Sequence, residues 1–228
     1  SDVTISNAIG SNTALTGLTI SSASNDITLS GGIEVAGLIS VTADIIYVTG
    51  NISSTASGDI TLNAASKLDN STTTIKSITN SSGDIYLIAD SDGSGLLSLD
   101  YLTLDAGSDD LIIRGATMNW DVSAQDRKPN IHGSGAVVFE STGNAFGQNV
   151  DNNWFDWNPD GETISSLRIG KSTNTYNVYL NASLNVAGPI TVYGSTITIS
   201  SDITSTATSG NSVNFIGTSI TQSAGVDV

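Results

Sequence analysis

The chain has 228 residues, no Cys, 3 Pro, 23 Gly and a net charge of −15, with only 13% of residues charged. Without cysteine there are no disulfides, thiolate metal ligands or thiol nucleophiles, so packing and backbone hydrogen bonds must hold the fold. Seven Lys and Arg against 22 Asp and Glu argue against a nucleic-acid surface or docking on anionic lipid, since both need clustered cations.

From the N-terminus, short period-two runs follow one another. They include Asp26 to Ser30 (DITLS), Asp59 to Ala64 (DITLNA), Asp84 to Asp90 (DIYLIAD) and Leu97 to Ala106 (LSLDYLTLDA). Strand-like MNWDV (Met118 to Val122) comes next, and Pro189 to Gly194 (PITVYG) and Ser195 to Ser200 (STITIS) close the series. Alternation of this kind predicts half-buried strands, and the Gly, Asn, Ser and Asp between the runs predict turns. No stretch has a helical period, and no run approaches the roughly 18 apolar residues of a membrane-spanning helix.

The chain also repeats itself. Ile33 to Ser57 (IEVAGLISVTADIIYVTGNISSTAS) aligns with Leu184 to Thr208 (LNVAGPITVYGSTITISSDITSTAT) without a gap, with 10 of 25 positions identical. Looser matches extend the pair to residues 18–83 and 167–225, leaving 84–166 without a partner. The tail of that extension pairs Ile78 to Gly83 (ITNSSG) with Ile220 to Gly225 (ITQSAG). Repetition, short strands and frequent polar corners favour one all-β architecture, a β-solenoid or parallel β-helix, over a sandwich or a propeller. At 20–25 residues per coil, residues 1–228 form a single elongated segment of about ten coils, nearly 50 Å long, of undetermined hand. Because the pattern is already running at both ends, the segment is expected to belong to a longer protein.

At GDITLNA (Gly58 to Ala64), GDIYLIA (Gly83 to Ala89) and LNVAGPITVYG (Leu184 to Gly194) the chain resembles filamentous-haemagglutinin-like exoproteins. The stretch Gly135 to Ser200 is similar to a β-strand repeat of very large bacterial surface proteins. The resemblance covers residues 18–90 and 135–228 and is poor over 91–134. It implies a β-solenoid adhesin exported to the surface of a Gram-negative bacterium. Such a protein acts in adhesion, aggregation or matrix formation, with other copies, neighbouring repeats, glycans or cell surfaces as partners. It brings no catalytic residues.

The unmatched stretch holds all three Trp and the only His and Met. Trp120, Trp154, Phe155 and Trp157 are candidates for stacking on sugar rings, or on another chain. Against that stands local packing where a loop leaves the coil. Asp156, Asn158, Asp160 and Glu162 have the alternate oxygen ligands and Gly turn of a calcium loop. Leu167 stands where such a loop places its final Glu, and Asn-Pro-Asp-Gly is also a favoured tight turn. Asp90, Asp92, Asp105, Asp109 and Asp110 form a second acidic region, again readable as turns or as a calcium site. The best catalytic set is Asp126, Arg127, Lys128 and His132, which would suit a polysaccharide lyase or hydrolase if the groups converged in a groove. Their clustering in one stretch beside Pro129 favours a solvated loop, and no enzyme motif appears elsewhere. The expectation is therefore a non-enzymatic structural or adhesive segment, with a glycan-active β-helix as the alternative.

Overall fold

A computed structural model describes residues 2–13, 15–22, 24–70, 72–89, 95–119, 127–157, 163–208 and 212–228. It is an all-β parallel solenoid of about eight turns with almost no helix. Every strand pairing in it is parallel, as coil stacked on coil requires.

Each turn carries three short strand segments, which stack into three faces. On face 2 one ladder runs unbroken through Leu18, Ile39, Ile60, Ile85, Leu111, Val137, Leu167, Ile190 and Val213. Face 1 stacks Ile9, Ile33, Ile52, Ile78, Leu104 and Ile131, then Trp157, and continues through the single bridge of Ile164 on Val186 to Leu184 on Ile203. Face 3 stacks Val3, Ile27, Ile46, Leu68, Leu97 and Met118, and resumes with Val150, Val178, Ile197 and Ile220.

Successive rungs on face 2 lie 21 to 30 residues apart. The three spacings from Ile85 to Leu111, Val137 and Leu167 are 26, 26 and 30 residues, above the expected 20–25. About eight turns therefore form where about ten were expected. Eight steps of ~4.8 Å give a rod of about 40 Å.

The period-two pattern sets which side chains enter the core. In the strand Ile33–Val48 burial alternates almost residue by residue, with Ile33, Val35, Ile39, Val41, Ala43, Ile46 and Val48 inward. Like residues stack on like, so each inward Ile or Leu meets its equivalents above and below. Removing one such side chain would cost about 2–5 kcal/mol.

The corners explain the recurring Asp-Ile dipeptide. Where the chain turns into a face, the residue before the first inward Ile gives its carbonyl to the previous coil. Ile60 N–H, for example, donates to the Asp84 carbonyl (2.9 Å), and Ile85 N–H to the Asp110 carbonyl (2.9 Å). The N–H of that corner residue needs an acceptor, and the side chain one coil below supplies it. Asp84 N–H donates to Asp59 Oδ1 (3.0 Å), Asp110 N–H to Asp84 Oδ1 (2.9 Å) and Ala136 N–H to Asp110 Oδ1 (3.0 Å). Asn51, Asn149, Asn177 and Asp202 do the same elsewhere. A short Asx side chain is thus the local substitute for a missing ladder acceptor. The preceding glycine has its own cause. Gly83 sits at φ +125°, and a Cβ there would lie 2.7 Å from the Gly58 carbonyl oxygen.

The 151-residue echo is the same piece of coil made twice. Ile33 on Ile52 and Val35 on Ser54 have the register of Leu184 on Ile203 and Val186 on Ser205. The buried Ser54 hydroxyl donates to the Gly37 carbonyl (2.9 Å), as Ser205 does to Gly188 (2.7 Å). The tail of the extended match needs correction. Ile78 stacks on Ile52 on face 1, whereas Ile220 stacks on Ile197 on face 3. Their shared letters reflect the common corner-and-strand grammar of the faces, not equivalent positions.

Candidate binding surface

The unmatched stretch is where the ladders of faces 1 and 3 thin out. Among the described residues, face 3 has no ladder pairing between Met118 and Val150, face 1 continues past Trp157 only through the bridge of Ile164 on Val186, and face 2 passes through intact. The wider coils there are filled by aromatic rings. Phe139 lies 5.3 Å from Phe146 and 5.0 Å from Phe155 between ring centroids, and Phe155 lies 5.2 Å from Trp157.

Phe155 is 2% exposed, which removes it from the surface contacts expected of it. Trp154 and Trp157 are partly buried and pack against the same core. The Trp157 indole N–H donates to the Asn152 carbonyl at 2.7 Å, satisfying its one polar atom internally. The arrangement follows the packing alternative, with part of each indole left at the surface. Trp120 lies outside the described residues.

Of the proposed calcium ligands, Asp156 is described. Its backbone N–H donates to the Pro129 carbonyl (2.9 Å), and it stacks in register on Asn130. Asn158, Asp160 and Glu162 lie outside the described residues. Among the described residues no group of three or more His, Asp or Glu is placed to hold a metal ion. In the other acidic region, Asp105 accepts from Gly107 N–H (2.8 Å), closing a turn, and Asp109 accepts from Gly83 N–H of the neighbouring coil (3.0 Å). Asp90 and Asp92 lie outside the described residues.

Of the suggested catalytic set, Arg127, Lys128 and His132 are described. Lys128 is only 7% exposed, and its ammonium donates to Asn153 Oδ1 (2.8 Å) beneath the turn Asn152–Trp154. Arg127 stands over the Tyr101 ring, 6.0 Å from its centroid. His132 occupies an outward position in register with Asp105. Asp126 lies outside the described residues.

One cluster was not read from the sequence. On the outward side of face 2, Arg114 Nε and Arg168 Nη2 each hold one oxygen of Glu140, both at 2.8 Å. The Glu140 side chain is 5% exposed, while the Arg114 and Arg168 side chains are 37% and 44% exposed. One carboxylate is thus clasped between coils above and below, a bridge that charge-assisted bonds favour. Lys171 continues this basic edge, its ammonium donating to the carbonyls of Thr142 (3.2 Å) and Gly143 (3.0 Å). The signal was a spacing of about one coil between Arg114, Glu140 and Arg168, which means nothing until the coil length is known.

At the other edge of the same face, Asp84 Oδ2 accepts the Tyr86 hydroxyl (2.7 Å). That hydrogen bond, helped by burial and by the charges of Asp84 and Asp59, pushes the Tyr86 pKa up to about 12, against a smaller lowering by Arg114.

The chain matches no family model, and no curated protein or solved structure is significantly similar to it.

Proposed function

We propose that this chain is a structural and adhesive segment of a large exported bacterial surface or matrix protein of the filamentous-haemagglutinin-like kind. The observation that carries the reading is the unbroken nine-strand ladder of face 2, uniform along the rod. Such a design works through length and lateral surface. Its outward rows include Ser40, Thr61 and Thr191 on face 2 and Ser53 and Thr79 on face 1, which offer hydrogen bonds to glycans, and the net charge of −15 keeps the rods soluble. The last coil presents Ile216 and Ile220 half exposed, an edge that accepts a further parallel strand and so suits assembly along the rod axis.

The GDI motifs behind the resemblance are corner devices that coil geometry itself demands, so they support the solenoid more strongly than the adhesin. The partly exposed edges of Trp154 and Trp157 are the glycan-contact candidates within this reading, and calcium would act at the loop that begins with Asp156. The test is binding of the chain to a glycan array and to bacterial surfaces, with and without calcium. Loss of binding in Trp154→Ala with Trp157→Ala, the fold retained, is the expected result. A screen with acidic polysaccharides for unsaturated products addresses the alternative. Turnover that disappears in Lys128→Ala would replace the scaffold reading with a lyase.

A further inference from the structure

We propose that face 2 carries a self-complementary patch through which two copies of this chain pair side by side, with their rods running in the same direction. The inference rests on the rod-like scaffold reading and adds to it the surface and the symmetry.

The central outward row of face 2 runs Ser40, Thr61, Tyr86, Ile112, Val138, Arg168 and Thr191 in register. Ser40 and Thr61 stand at one end and Arg168 and Thr191 at the other, but the middle is Tyr, Ile and Val. The next outward row adds Ile88 beside Arg114. Ile112 points away from the core and is still only 7% exposed, so its neighbours close around it into a filled apolar strip.

The two edges of that strip carry opposite charge. At the start of the strands stand Asp59, Asp84 and Asp110, stacked by their Oδ1 hydrogen bonds. At the far end stand Arg114 and Glu140, with the Arg168 guanidinium reaching Glu140 from the central row, followed by Lys171. The two edges lie mostly at different heights along the rod and meet on one coil, where Asp110 and Arg114 stand two residues either side of Ile112.

A two-fold axis parallel to the rod and passing over Ile112 reverses the strand direction while keeping the rod direction. Residues two before Ile112 then meet residues two after it in the other copy. Asp110 of one rod faces Arg114 of the second, and Ile112 faces Ile112. The same surface serves both partners, as an isologous contact requires, and its sheets would pack at about 10 Å. The patch spans four coils and offers only about 300 Å² per rod by strand spacing, against ~800 Å² in a standard stable interface. One pair is consequently weak and salt-sensitive, and a rod with several such patches gains by multivalency.

Sedimentation velocity up to millimolar concentration, with small-angle scattering on the same samples, tests this. The expected result is a rise in mass towards a dimer at low salt, with a larger cross-section and unchanged length. Ile112→Asp should abolish the rise, with Val138→Glu as a second variant should the first fail to fold. Arg114→Asp should weaken pairing at least tenfold, and adding Asp110→Arg to it should restore pairing. A monomer throughout, or a dimer unaffected by Ile112→Asp, overturns the proposal. So does a dimer of doubled length and constant cross-section, which reports end-on stacking. A monomer whose Ile112 and Arg114 resonances move only on adding an acidic oligosaccharide assigns the patch to a glycan and also overturns it. None of these outcomes alone removes the scaffold reading, which falls to polysaccharide turnover instead.

Discussion

At the scale of single residues, most unusual side chains have a local cause. Tyr86 keeps its proton up to about 12 because it donates to the Asp84 carboxylate at 2.7 Å. An unfolded tyrosine releases its proton near 10.0, so between these values the folded chain binds more protons than the unfolded one. The stability from this group is therefore complete below pH about 10 and is lost as pH rises through about 12. Titration by tyrosinate absorbance should resolve one late residue among the six tyrosines, and Asp84→Asn should bring it back towards the others. Gly83 makes the steric counterpart. Its φ of +125° and the Gly58 carbonyl 2.7 Å from any added Cβ predict that Gly83→Ala destabilises by about 1–3 kcal/mol, measured by urea unfolding.

At the scale of the element, the unit is a corner plus a short strand. The corner Asx accepts the N–H one coil on, and the strand sends alternate residues inward. This unit was largely legible in the sequence, because Asp-Ile after Gly and a period of two are both local. Equivalent units should have equivalent energetics. Ser54→Ala and Ser205→Ala each remove one bond to a glycine carbonyl, buried at Ser54 and part-buried at Ser205, at 2.9 and 2.7 Å. Each should cost about 1 kcal/mol, and denaturant unfolding of the two variants should agree within error. The tail match was misleading for the same local reason. Corner and strand look alike on every face, so Ile78 and Ile220 share letters while standing on different faces. The Glu140 clasp was not legible, because its three members lie more than 25 residues apart and meet only after winding. Glu140→Ala leaves two guanidiniums without their shared acceptor and should cost about 1–3 kcal/mol, seen as a lowered Tm.

At the scale of the molecule, the solenoid is quasi-one-dimensional, each turn stabilised by the two beside it. Central coils should therefore open last. Amides of Ile60, Ile85 and Leu111 should be the most protected in hydrogen exchange, and those of the outermost strands Val3–Ile5 and Ser219–Gln222 the least. Uniform protection along the rod would contradict this nearest-neighbour picture. The aromatic cluster of Phe139, Phe146, Phe155 and Trp157 sits where the ladders of faces 1 and 3 thin out. It fills the widened coils, which is why the aromatic residues concentrate in the stretch without a repeat partner. Their sequence context, polar and turn-rich, resembles an exposed binding loop, and only the packing distinguishes the two.

Local sequence pattern was enough for the class of fold, many of the strands and the residue types at the corners. All of these depend on interactions within a few residues or on a side-chain period of two. Winding the chain set the number of turns, which of three faces each strand joins, the corner hydrogen bonds from coil to coil, the burial of Phe155 and the charge layout of face 2. Those depend on how many residues each coil consumes. Variable loops change that count from turn to turn, so no fixed spacing along the chain could reveal which side chains meet.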